Sequence, residues 1–182
     1  IASCLVGSEM CIRDRLVPEL LRSHLEKLAA ADARIDGRAR FEPRETTLET
    51  GILGNAEGSA RVQMGNTIVL AGVKFQLMTP YPDRPTQGGL MCSAEVRPVA
   101  GRGWEAGPPS AESIELGRVV DRGIRESGCI DVDELCIIPG ERAWQVILDL
   151  FAVSDDGNLF DAFALAGIAA LRTAVAVSHT HL

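Results

Sequence analysis

A chain of 182 residues, 46% hydrophobic and 24% charged, holds enough material for one domain with a packed core. Eighteen Lys and Arg against 25 Asp and Glu leave a net charge of −7, which disfavours a protein that coats polyanions. Any nucleic-acid contact must come from a local arginine cluster or from a partner. No apolar run approaches the ~20 residues of a membrane span. Only three histidines are present, two of them among the last four residues, so a histidine-based metal site or triad is disfavoured.

The five cysteines, Cys4, Cys11, Cys92, Cys129 and Cys136, are odd in number and include no CxxC pair. Reduced, mostly buried thiols in a cytoplasmic protein are expected. The opening IASCLVGSEMCIRDR is too short and broken in its apolar part for a signal peptide, and its charges follow that part. It and the closing AVSHTHL resemble adapter read-through at the ends of translated assemblies. Residues 1–15 and 176–182 are therefore set aside as non-native scars, with a genuine N-terminal arm as the alternative for the first. The domain proper is expected over 16–175, cut at both ends.

Leu16–Ala31 reads as a helix, with Leu20, Leu21, His24, Leu25 and Leu28 at helical spacing and Pro18 suited to a first turn. Arg34–Arg38 is a turn. Thr46–Leu53 and Gly58–Met64 read as strands, and Gly65-Asn66 reverses the chain into a third, Thr67–Leu77. A proline-bearing loop over Met78–Gln87 leads to a strand at Gly89–Val96, followed by a Gly/Pro-rich loop over Arg97–Pro109. Ser110 is the expected N-cap of a helix reaching Ser127, ended by Gly128. Leu135–Ile138 is a short strand and Ala143–Val153 a strongly apolar one. The turn Ser154–Asn158 precedes an almost wholly apolar helix, Leu159–Val175, expected between two layers. Strands first and strand–helix alternation later give an α+β class with a layered sheet and helices.

The segment Ser110–Ser127 carries the most information. Arg118, Arg122 and Arg125 stand at i, i+4 and i+7, within an arc of ~60°. Leu116, Val119, Val120 and Ile124 are expected on the opposite, buried side, with Gly117 admitting a close neighbour. Guanidiniums suit bidentate phosphate contacts, so such a stripe can hold an RNA backbone. The plainer reading is a solvated face neutralised by Glu115, Asp121 and Glu126. Arg97 and Arg102 add positive charge to the preceding loop, where Trp104 is either a stacking platform or an interface residue. Gly101–Gly107 misses the spacing of a dinucleotide loop, and no Walker, GxSxG or HExxH motif occurs. Asp155 and Asp156 read as turn-formers.

Taken in order, several motifs resemble the RNase PH family over about Leu16–Val175. They are Arg34-Ile-Asp-Gly-Arg38, Glu57-Gly-Ser59, Gly65-Asn-Thr67, Ser113-Ile-Glu-Leu-Gly-Arg118 running on to Arg122 and Arg125, and Asp156-Gly-Asn158. YPDRP, EAGPPSAESIELGRVVDRGIRES and DDGNLFDAFAL are most similar to the non-catalytic RNase PH-type subunits of the archaeal exosome core, with the structural subunits of the eukaryotic exosome nearby. The resemblance implies an RNase PH fold (ribosomal protein S5 domain 2-like) truncated at its C-terminal side. It implies a heterodimer with a catalytic sister, three such pairs closing into a six-membered ring, with RNA-binding cap subunits as further partners. The sister shortens single-stranded RNA from its 3′ end with inorganic phosphate as nucleophile. This chain is expected to need no cofactor of its own, to be cytoplasmic and to touch no membrane.

Arg118 and Arg122 match positions where the family's interface helix presents RNA-holding arginines, and Arg125 matches a further family arginine; with Arg97 and Arg102, read from the loop's charge, they are the expected RNA-binding residues. Active members carry an Asp-Gly-Gly-Thr-Arg-Thr turn whose hydroxyls, arginine and helix N-terminus bind the attacking phosphate. Here Asn158, Leu159, Phe160 and Asp161 stand in that turn, a degenerate phosphate site with no catalytic residue. A carboxylate ~4 Å from a bound anion costs ~4 kcal/mol at an effective dielectric of 20. The acidic catalytic residues of active members lie beyond Val175 in the family's order. Without the half that follows, the Leu159–Val175 helix is expected to expose an apolar side and the isolated chain to aggregate. The alternatives are an active phosphate-dependent 3′-to-5′ exoribonuclease and a pure protein-interaction scaffold of eukaryotic exosome type.

Overall fold

The computed structural model describes residues 19–101 and 103–176. Residues 1–18, Arg102 and 177–182 thus lie outside the described residues, with Pro18 and the expected start of the first helix among them. The chain divides into two compact units, 1–44 and 45–182. In the first, helix α1 covers 19–30, and a bridge between Ala33 and Ala39 closes the expected turn. The Gly37 amide donates to the Arg34 carbonyl, and Gly37 takes the left-handed conformation at φ 80°. Leu20, Leu21 and Leu25 are exposed, so helical spacing marked the helix and not a buried stripe. Among the described residues of this unit no second layer covers them.

The second unit is a six-stranded sheet with two helices. Its strands are β1 (Thr46–Thr50), β2 (Gly58–Met64), β3 (Thr67–Met78), β4 (Gly89–Val96), β5 (Cys136–Ile138) and β6 (Arg142–Ser154). The helices are α2 (Ala111–Ser127) and α3 (Leu159–Thr173). The strand order is β1-β2-β3-β6-β4, with β5 also pairing β6. Neighbours are antiparallel except β4 and β6, which run parallel across the connection that contains α2. The expected strand at Thr46–Leu53 stops at Thr50, because Gly51 turns the chain at φ 72°. Gly65 provides the positive φ, 58°, at the first position of the two-residue β2–β3 hairpin.

Alternation places Thr67, Val69, Ala71 and Val73 of β3 and Val146, Leu148, Leu150 and Ala152 of β6 on one face. Leu116, Val120 and Ile124 of α2, with Phe163, Ala166 and Ala170 of α3, complete the core. Gly117 does admit a close neighbour: a methyl there would lie 3.2 Å from the Ala94 amide nitrogen. Val119 departs from the expected burial. It lies about 60° outside the arc that Leu116 bounds and is 46% exposed. Helix α3 packs one side on the sheet and, as expected, exposes an apolar side. Phe160, Leu165 and Ile168 are 40%, 36% and 47% exposed. Cysteine burial also fails: Cys129 is exposed, and Cys92 and Cys136 are half-buried free thiols.

Candidate functional site

Helix α2 is built as its sequence dictates. The Ser113 amide donates to the Ser110 side-chain oxygen at 3.1 Å, and Gly128 closes the other end in the left-handed conformation. Burying Leu116, Val120 and Ile124 turns Arg118, Arg122 and Arg125 outward together. The three are not equivalent. Arg125 is gripped by Asp121, donating from Nε at 3.1 Å and from Nη2 at 2.8 Å, and Nη2 also donates to the Leu90 carbonyl at 3.0 Å. This hydrogen bond to Asp121 raises the Arg125 pKa further above its usual value. Arg118 and Arg122 are exposed and engage no partner among the described residues. Neutralisation by neighbouring acids is thus realised at Arg125 alone. Around the other two lies a shallow groove that includes Ala111, Ile114, Glu115 and Val119.

The turn between β6 and α3 is held from several sides. Thr67 Oγ1 donates to the Gly157 carbonyl at 2.8 Å and accepts from the Asp156 amide at 3.1 Å. Asn66 Nδ2 donates to Asp156 at 3.2 Å. Asn158 takes φ 63°, a conformation glycine adopts without strain and asparagine tolerates best among other residues. Leu159 points into the core at 6% exposure, while Phe160 points outward. Asp161 lies in the first turn of α3 and accepts from Asn158 Nδ2 at 2.9 Å. The positive end of α3 therefore already faces a carboxylate of its own chain.

The other residues expected in the site fare differently. Arg97 donates to Glu95 at 3.2 Å and to the Gly107 carbonyl at 3.1 Å, so its guanidinium serves its own loop. Arg102 lies outside the described residues. Trp104 is half-buried and donates Nε1 to Asp155 at 2.9 Å. The Asp155 amide donates to the Ala100 carbonyl at 2.8 Å, knitting this loop to the turn before α3. Asp155 thus does more than form a turn. The pairing of Asp121 with Arg125 is the i, i+4 neutralisation that the sequence offers, but sequence reasoning missed the roles of Ser113 and Leu90. Ser113 Oγ donates to the Ala94 carbonyl at 2.6 Å, and the chain around these residues carries no local signal of the pairing.

Among the described residues no three His, Cys, Asp or Glu side chains are placed to hold a metal ion, and no helix is long and apolar enough to cross a membrane. The chain is similar to the exosome complex component Rrp42 of Methanothermobacter thermautotrophicus, with 47% identity over 156 residues, 86% of this chain and 58% of the relative. The chain spans about three fifths of the length of the curated relatives it matches. Its fold matches a subunit in a solved structure described as Archaeoglobus fulgidus exosome with RNA bound to the active site. The TM-score is 0.83 at 45% identity, covering 87% of this chain and 63% of that one. A second match, to an archaeal exosome core, has a TM-score of 0.77 at 41% identity over 89% of this chain and 61% of the other. Residues 42–176 match the family model described as RNase PH, 3′ exoribonuclease family, domain 1. With the α+β sheet and the two helices in place, the chain belongs to the RNase PH family.

Proposed function

We propose that this chain is a non-catalytic subunit of an exosome ring. It pairs with a catalytic RNase PH-type sister and holds single-stranded RNA for phosphorolytic shortening from the 3′ end. The observation that carries the reading is the mouth of α3. Where active relatives bind inorganic phosphate, Leu159 is buried, Phe160 replaces an arginine, and Asp161 occupies the helix end with a negative charge. A phosphate dianion meets repulsion there where it needs donors. The similarity to relatives named exosome complex component Rrp42, and to exosome structures, supports the ring assignment.

The contribution of this chain to the reaction is then electrostatic and positional. Arg118 and Arg122 stand on one face of α2, separated by one helical turn of about 5–6 Å, near the spacing of successive phosphates in an extended strand. Both guanidiniums are exposed and uncommitted among the described residues, so each is free to make a bidentate phosphate contact. Ile114 and Val119, exposed on either side, offer apolar surface next to the charges. Inorganic phosphate is a substrate of the sister subunit and is not held by this chain. The cap subunits and the cytoplasmic setting belong to the same proposal.

The test is a phosphorolysis assay on a 5′-labelled RNA. The purified subunit alone should leave the RNA intact at any phosphate concentration. Its mixture with the catalytic sister should shorten it and release nucleoside diphosphates. Shortening by the subunit alone would overturn the assignment. Arg118→Glu with Arg122→Glu should leave the ring assembled and weaken RNA retention; loss of assembly would favour the scaffold reading.

A further inference from the structure

We infer that Arg125 acts on RNA only indirectly: with Asp121 it is a positioning pair that locks α2 to the edge of β4 and so sets where Arg118 and Arg122 stand. The inference rests on the RNA-holding role proposed for those two residues. Helix α2 is fastened to β4 at two carbonyls. Near its start, Ser113 Oγ donates to Ala94 at 2.6 Å; near its end, Arg125 Nη2 donates to Leu90 at 3.0 Å. Asp121, one turn back, holds the same guanidinium through two further bonds, so Arg125 cannot turn outward without abandoning three hydrogen bonds.

The core contacts of α2 cannot do this work alone. Leu116, Val120 and Ile124 are buried apolar groups, and apolar packing is non-directional, so it allows small rocking and sliding. Gly117, with Ala94 close beneath it, makes a pivot near the Ser113 bond. Arg122 lies nine residues, about 13 Å, beyond Ser113 along the axis. A tilt of only about 5° about that pivot moves Arg122 by about 1 Å, enough to spoil aligned contacts. The bond at Leu90 is the fastening that resists this tilt. Asp121 organises Arg125 and, among the described residues, leaves Arg118 and Arg122 without partners.

Asp121→Ala separates the two roles by sign. If Arg125 were an RNA ligand held back by Asp121, removing that carboxylate would free a guanidinium, take away a negative charge and tighten RNA binding. As a positioning pair, its loss should weaken binding roughly three- to tenfold, the scale of one hydrogen bond's net contribution. Binding of a labelled poly(A) oligonucleotide is measured with the subunit assembled with its catalytic sister, as a function of salt. Arg118→Gln and Arg122→Gln should each flatten the logarithmic salt slope by about 0.7, as expected for a lost phosphate contact on a single strand. Asp121→Ala, Arg125→Lys and, most tellingly, the charge-removing Arg125→Gln should weaken binding and leave the slope unchanged.

Amide hydrogen exchange of the same variants, read without RNA, should show faster exchange in the last two turns of α2. Arg125→Lys keeps the charge but not the fork, so it serves should Asp121→Ala fail to fold. Tighter binding by Asp121→Ala, a flattened slope in Arg125→Gln, or unchanged exchange in any of these variants overturns the inference. Unaltered binding in Arg118→Gln and Arg122→Gln, with exchange accelerated as expected in the pair variants, instead sinks the RNA-holding role itself.

Discussion

Gly58→Ala should cost the protein about 2 kcal/mol, for a reason visible at one point of contact. Gly58 opens β2 beneath the end of α3. A methyl there would lie 2.7 Å from the Ala174 Cα and 2.8 Å from its Cβ, and closer still to the Ala170 carbonyl oxygen. Comfortable carbon contacts are ~3.5–4.0 Å, so the end of α3 would have to retreat by about 1 Å. Two of these three atoms are backbone, and the Val175 amide is bonded at 3.1 Å to the Glu57 carbonyl next door, which opposes the retreat. The φ of Gly58 is not in the left-handed region, so alanine alone would gain ~0.4–1 kcal/mol from a stiffer unfolded chain. Overpacking at ~3 kcal/mol outweighs that gain. At ~2–4 °C per kcal/mol for a chain of this size, the melting temperature should fall by about 4–8 °C. Gly54→Ala is the control: a methyl there meets nothing within 4 Å and φ is not positive, so it should melt at or slightly above wild type. Thermal and urea melts followed by circular dichroism measure both. A Gly58→Ala protein as stable as Gly54→Ala would refute the packing argument.

Two glycines of α2 should respond oppositely. Gly123→Ala, with nothing within 4 Å, should stabilise by ~0.5–1 kcal/mol, while Gly117→Ala, 3.2 Å from the Ala94 nitrogen, should destabilise; urea midpoints decide. Burial, with the Asp121 and Asp149 carboxylates nearby, pushes the Cys92 thiol up to about 12. At pH 8.5 a maleimide should therefore label the exposed Cys129 well before Cys92, as read by mass spectrometry. The folded state holds the Cys92 proton more tightly than the unfolded chain, so its contribution is complete below the unfolded pKa of ~8.5 and lost as pH rises toward 12. Cys92→Ser should flatten that part of the pH–stability curve. Asn158→Gly should be near neutral and Asn158→Ala should cost ~1–2 kcal/mol, because only the latter meets the steric penalty of φ 63°.

Much of this architecture is legible in the residues, and the reasons are local. β2 and β4 begin and end where expected, because their alternation is bounded by Gly58 and Gly65 in one case and by Gly89 and Pro98 in the other. Ser110 and Gly128 frame α2 as capping chemistry requires. At the mouth of α3 the sequence was enough to place Asn158 at the helix entrance and Asp161 in its first turn, where both stand. What could not be read is long-range. Nothing near Leu90 announces that its carbonyl receives a guanidinium 35 residues later, although the pairing of Asp121 with Arg125 was within local reach. Trp104 and Asp155 are 51 residues apart, and Thr67 meets Gly157 across 90. Periodicity places a side chain on a face; it does not say which backbone group waits opposite.

The two fastenings of α2 also bear on how the sheet can grow. An outer strand normally offers bare carbonyls on which a stray polypeptide can zip up. On β4 the carbonyls of Leu90 and Ala94 are already claimed by Arg125 and Ser113, so an invading segment must first prise a helix away. The opposite margin of the sheet is β1, Thr46–Thr50, a strand of only five residues that carries Glu49. The same bonds that steady the arginines make one border of this sheet a closed seam.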